Sequence, residues 1–99
     1  FSLHDALPIS FFPMPSLDRI RTNEHDFFVL ARWLEKDTRY ECFLLSARTA
    51  RKEVERSLSL QAPSIERGTR KKVFPCIHVG RENEEAANRW RKAWLEWNL

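Results

Sequence analysis

The sequence predicts an α+β fold, a small three-stranded sheet carrying two helices, and three observations predict it. Two apolar runs, residues 27–34 and 40–46, flank a short polar segment, which is the pattern of a β-hairpin. From Ala47 onward the apolar residues recur at helical spacing, and they do so again over residues 84–97. Between these helical segments lies one further apolar stretch, residues 73–79, rich in β-branched and aromatic side chains.

The hairpin begins after a polar stretch, Thr22, Asn23, Glu24, His25 and Asp26. In residues 27–34 only Arg32 interrupts an apolar run, so periodicity does not separate a buried strand from a buried helix. The Phe, Val and Trp content and the length of eight favour the strand, whereas Asn23 followed by Asp26 is a possible helix cap. Residues 35–39 are all polar and form the expected turn. A mostly α arrangement is the alternative, with residues 23–36 and 38–60 as an antiparallel helical pair. On a wheel at 100° per residue, Tyr40, Phe43, Leu44, Ala47, Ala50, Val54 and Leu58 share a face, while Cys42 and Leu45 fall off it.

Under either arrangement Ala47, Ala50, Val54 and Leu58 make a helical stripe, and Pro63 within residues 61–64 is expected to end that helix near residue 60. Gly68 is a natural positive-φ position in the loop that follows. Pro75 lacks an N–H donor and suits the start or edge of a strand over residues 73–79. Asn83 is placed to cap the final helix, residues 84–97, and Glu84 and Glu85 favour the positive end of its dipole.

The N-terminal segment reads differently. Ser2, Leu3, His4, Asp5, Ala6, Leu7, Pro8 and Ile9 resemble the translation of a short-read sequencing adapter, whose 3′ stretch TCC CTA CAC GAC GCT CTT CCG ATC T encodes those eight residues in order. The leftover T before a C gives the serine found as Ser10, and the preceding codon gives Leu where Phe1 stands. The expectation is that residues 1–9 are non-native and are excluded from fold reasoning. The natural chain is then expected to begin near Ser10 as the C-terminal portion of a longer protein. Residues 10–26, with Phe11, Phe12, Pro13, Met14 and Pro15, read as an extended arm and polar loop, and residues 27–99 as one small α+β domain.

Composition bounds function more than it specifies it. The 42% apolar content with 12% aromatics is that of a globular domain. Setting Asp5 aside leaves 17 basic against 13 acidic side chains, a formal charge of +4, which permits an anionic partner without requiring one. No run approaches the ~20 apolar residues of a membrane span, so a membrane is not an expected partner. The expected location is cytoplasmic, with Cys42 and Cys76 as reduced thiols.

The strongest functional feature is aromatic. Ala86, Trp90, Ala93, Trp94 and Trp97 share one face of the final helix, and each indole can bury ~150–250 Å². Such a stripe packs on the domain's own strands or binds another chain, or the missing N-terminal portion. Trp90, Trp94 and Trp97 are therefore the candidate partner-binding residues of a non-catalytic binding or accessory domain. Arg67, Arg70, Lys71 and Lys72 cluster around Gly68 and are the candidate phosphate contacts of a nucleic-acid-binding module, the second reading.

A third reading is an enzyme fragment with its main catalytic groups upstream, to which Glu41, Cys76 or His78 contributes. Its support is thin. Cys76 and His78 share a strand face about 7 Å apart, too far for a direct bond. Cys42 and His25 join them as metal ligands only through tertiary proximity, and no ligand pair has metal-site spacing. Asp26 and Glu41 lack the Glu-x-Lys pattern of a hairpin nuclease, since Phe43 stands where the lysine belongs. With two glycines, Gly68 and Gly80, there is no phosphate-cradling loop, and no motif calls for a cofactor.

Overall fold

The computed structural model describes residues 10–69 and 71–97, and the adapter-like segment 1–9 lies outside them. Four strands and two helices follow in the order β1 (Ser10–Pro13), β2 (Phe27–Leu34), β3 (Arg39–Ser46), α1 (Ala47–Glu66), β4 (Cys76–Val79) and α2 (Glu84–Trp97). The fold is α+β. The mostly α alternative is excluded, because residues 27–46 form the hairpin, with Phe27 opposite Ser46 and Leu34 opposite Arg39. Asn23 and Asp26 form a turn instead of a helix cap: Asn23 Oδ1 accepts the His25 N–H at 3.2 Å and its carbonyl accepts the Asp26 N–H at 3.1 Å.

The expected single three-stranded sheet is instead two antiparallel two-stranded sheets, β2–β3 and β1–β4. The hairpin and β4 do not pair because β4 finds its partner in the segment expected to be an extended arm. Phe12 stands opposite Ile77 and Ser10 opposite Val79. Phe12 and Ile20 are buried in the same core as Leu30, Phe43, Leu45, Val54, Ile77 and Trp90, so residues 10–20 are part of the folded unit. Strand β4 is shorter than expected and starts at Cys76, with Phe74 exposed before it and the Pro75 carbonyl accepting from the Met14 N–H at 3.0 Å.

Helix α1 starts directly from β3. Ser46 ends the strand, adopts extended geometry and accepts the Thr49 N–H on its side chain, the interaction that favours serine as an N-cap. Its buried face is Ala47, Ala50, Val54 and Ser57. The helix does not stop near residue 60. It runs through Pro63 to Glu66 and ends at Gly68 (φ 76°), where Thr69 N–H reaches the Ser64 carbonyl and Gly68 N–H the Ile65 carbonyl. This double bond pattern is the Schellman motif, in which glycine relieves the cost of a left-handed residue. The positive φ expected at Gly68 is thus the stop signal of the helix.

Asn83 also acts differently from expectation. Its side chain points back to β4, accepting the Gly80 N–H at 2.9 Å and donating to the His78 carbonyl at 2.7 Å, and it is buried. It fastens the turn between β4 and α2 instead of capping α2.

Candidate protein-binding surface

The two faces of the hairpin follow from its register. Strand side chains alternate between faces, and directly opposed residues share one. Phe28–Leu45, Leu30–Phe43, Arg32–Glu41 and Leu34–Arg39 therefore lie on one face, and Val29–Leu44, Ala31–Cys42 and Trp33–Tyr40 on the other, with Phe27 opposite Ser46 at its end. The first face is the core face, where Leu30, Phe43 and Leu45 are buried. The second points away from the core and carries no charged residue.

That outer face is exposed and aromatic. Phe27 is 58% exposed, Val29 47%, Trp33 47% and Tyr40 64%. The rings of Trp33 and Tyr40 meet edge to face with centroids 5.0 Å apart, a favoured geometry for an aromatic pair. An uncharged apolar strip of this kind on a two-stranded ribbon is a recognised sign of an interaction site.

The tryptophan helix divides. Trp90 is 6% exposed and packs in the core with Ala87, so it is not available to a partner, contrary to expectation. At ~25 cal/mol/Å² its burial is worth ~4–6 kcal/mol gross, an upper bound. Trp94 is half-buried, its ring 5.7 Å from that of Trp97, and Trp97 is exposed. The inward face is centred on Ala87, Trp90, Arg91 and Trp94, because α2 meets β3 along this side.

Arg67, Lys71 and Lys72 are exposed, and Arg70 lies outside the described residues. Arg67 is the C-cap of α1, where a cation complements the negative end of the helix dipole.

Of the three groups of the enzyme reading, Cys76 and His78 share a cleft and Glu41 lies apart from them. Cys76 is buried, with Sγ 3.0 Å from Ser57 Oγ and 3.7 Å from Gln61 Nε2. His78 lines the same cleft as Cys76, and its Nε2 stands 3.8 Å from Glu82 Oε2. Glu41 is elsewhere, held between Arg32 and Arg91, each 2.8 Å from Oε1. Burial raises the Glu41 pKa, but the hydrogen bonds and charges of Arg91 and Arg32 outweigh it and hold the carboxyl below its ordinary range. Among the described residues no three His, Cys, Asp or Glu side chains are grouped to hold a metal, both cysteines are free, and no helix is long and apolar enough to cross a membrane.

The outer hairpin face was not among the surfaces expected from the sequence. Its signal was present as the nearly unbroken apolar run 27–34, which makes a strand apolar on both sides when only one side is covered. No family model, curated protein or solved structure matches this chain.

Proposed function

We propose that the chain is a non-catalytic protein-binding domain that assembles through the outer face of the β2–β3 hairpin. The observation that carries this reading is the uncharged strip of Phe27, Val29, Trp33 and Tyr40, exposed on the side of the hairpin that faces away from the core.

The partner that matches this strip is a second copy of the same face. A two-fold interface needs a surface complementary to itself, and a strip without charges meets its own image with no like-charge repulsion. Two sheets stack face to face about 10 Å apart with their side chains interdigitated. Each face offers roughly 500 Å² at ~150–250 Å² per fully exposed aromatic, so a pair buries about 1,000 Å², the lower bound of a specific interface. The dimer is accordingly weak and concentration-dependent.

Sedimentation velocity over a concentration series tests this. The wild-type chain is expected to shift from monomer to dimer, and Trp33→Glu to stay monomeric with an unchanged thermal melt. A wild type that stays monomeric at millimolar concentration overturns the second copy as partner. A variant that dimerises as well as the wild type removes the hairpin face from the interface.

A further inference from the structure

A different part of the hairpin points to a ligand of another kind. Arg32 on β2 and Arg91 on α2 converge on a single carboxylate oxygen, Glu41 Oε1, each at 2.8 Å. Both guanidinium carbons also sit over the Phe43 ring, at 5.4 and 5.3 Å from its centroid. Two cations against one anion leave a formal charge of +1 in a half-buried place. The arrangement is not an exposed ion pair, since the side chains of Arg32, Glu41 and Arg91 are 24%, 12% and 36% exposed.

The two guanidiniums border a cleft of about 160 Å³, lined by both arginines together with Val79, Ala87, Asn88 and Glu84. Each guanidinium carries five N–H donors. Arg32 uses Nη1 on Ser10 Oγ and Nη2 on Glu41, and Arg91 uses Nη1 on Asn88 Oδ1 and Nη2 on Glu41. Donors therefore remain on both arginines, and the fork geometry of arginine suits planar oxyanions held by two parallel bonds. Arg32 Nε is buried with no hydrogen-bond partner and is closed to a ligand, so the donors open to one are those left on the Nη atoms.

We propose that this cleft binds a small monocarboxylate, its carboxylate on Arg32 and Arg91 and its aliphatic part against Val79 and Ala87. Charge ranks the oxyanions. With Glu84 counted beside Glu41 the two arginines are already balanced, so each negative charge a ligand brings is opposed and a monoanion is favoured over a phosphate dianion. Glu84 lines the cleft and makes no ion pair with either arginine among the described residues, so it adds repulsion that a dianion feels twice.

The test is a titration of the intact chain with sodium propionate, followed by the backbone amides of Gly80, Ala87 and Asn88 in two-dimensional NMR. Sodium chloride and sodium phosphate titrations are run at matched ionic strength. Propionate is expected to give saturable shifts at these amides, and Glu84→Gln to tighten binding about three- to fivefold, the scale of one surface charge. Arg91→Gln is expected to weaken it at least about tenfold, as loss of a charge-assisted fork. Glu84 is exposed, so its variant keeps the test valid should Arg91→Gln fail to fold. Shifts that never saturate, or that chloride reproduces, overturn the site. Phosphate saturating the same amides as tightly as propionate overturns the carboxylate assignment, and an unchanged affinity in Glu84→Gln overturns the cleft as its location.

Discussion

The two faces of the β2–β3 hairpin are built in opposite senses. The core face carries the hairpin's buried charges, Arg32 and Glu41, while the face turned away from the core is apolar along its length. A solvated two-stranded sheet is ordinarily apolar inside and polar outside. The inversion separates two tasks. The inner charges are held by Arg91 from α2 and Ser10 from β1, and so join three distant segments at one point. The outer apolar side chains lie outside the core that buries the inner ones, and the partner proposed for them is another chain.

The largest expected difference between the faces is in stability. Phe43 is completely buried, touches Phe12 edge to face at 6.1 Å and supports both guanidiniums. Phe43→Ala is expected to cost about 3–5 kcal/mol. Phe27→Ala on the outer face is expected to cost less than about 1 kcal/mol, because Phe27 is mostly exposed. Urea denaturation of the two variants measures the contrast, and equal losses would break it.

Next comes Glu41→Gln, which leaves two arginines facing each other without their shared carboxylate. The expected loss is about 1–3 kcal/mol, at the lower end of a broken buried pair because Arg91 is partly exposed. The Glu41 pKa is depressed in the folded chain, so its contribution is present above the ordinary value of 4.5 and disappears as pH falls through the folded value. The stability gap between wild type and Glu41→Gln, followed in urea from pH 7 downward, is therefore expected to narrow once the pH falls below 4.5 and to close as it passes the depressed folded value. A gap that stays constant would show that Glu41 acts by shape and not by charge.

A smaller effect is expected at the hairpin turn. Thr38 holds a positive φ of 49°, a costly conformation for a β-branched residue. Thr38→Gly is expected to raise stability by up to about 1 kcal/mol in thermal melts, and a loss would mean that the side chain has a compensating contact. Smallest of all, Tyr40→Ala removes the outer pair with Trp33 and is expected to cost roughly 0.2–1 kcal/mol while weakening self-association.

The hairpin, the direct start of α1 at Ala47 and the bounds of α2 were legible in the sequence because each rests on local pattern. The turn needs a polar run, the helices need a 3.6-residue period, and residues 35–39 and 84–97 supply them. What stayed hidden depends on tertiary pairing. Strand β1 reads as an arm because four residues with Pro13 carry no period, and only Ile77 opposite Phe12 makes them a strand. The passage of α1 through Pro63 was missed because the stop lies in the pairing of Gly68 and Thr69 with the last turn.

The candidate site was legible in part. Of the tryptophans singled out, Trp97 is exposed, whereas Trp90 turned out to be core because the α2 face that meets β3 is centred on Ala87, one position from the alanine the stripe had used. The Arg32–Glu41 contact follows from the register once Leu34 is known to face Arg39, but Arg91 joins it from 50 residues away, and no local pattern carries that information.

The most direct test of the hairpin face as the binding surface is an isotope-filtered NMR experiment on a mixture of labelled and unlabelled chains at high concentration. Intermolecular contacts are expected from the Val29 and Leu44 methyls to the Trp33 and Tyr40 rings of the other copy, with none to Leu30 or Leu45. Intermolecular contacts confined to Trp94, Leu95 and Trp97, with none at Val29, would contradict this and move the binding surface to α2.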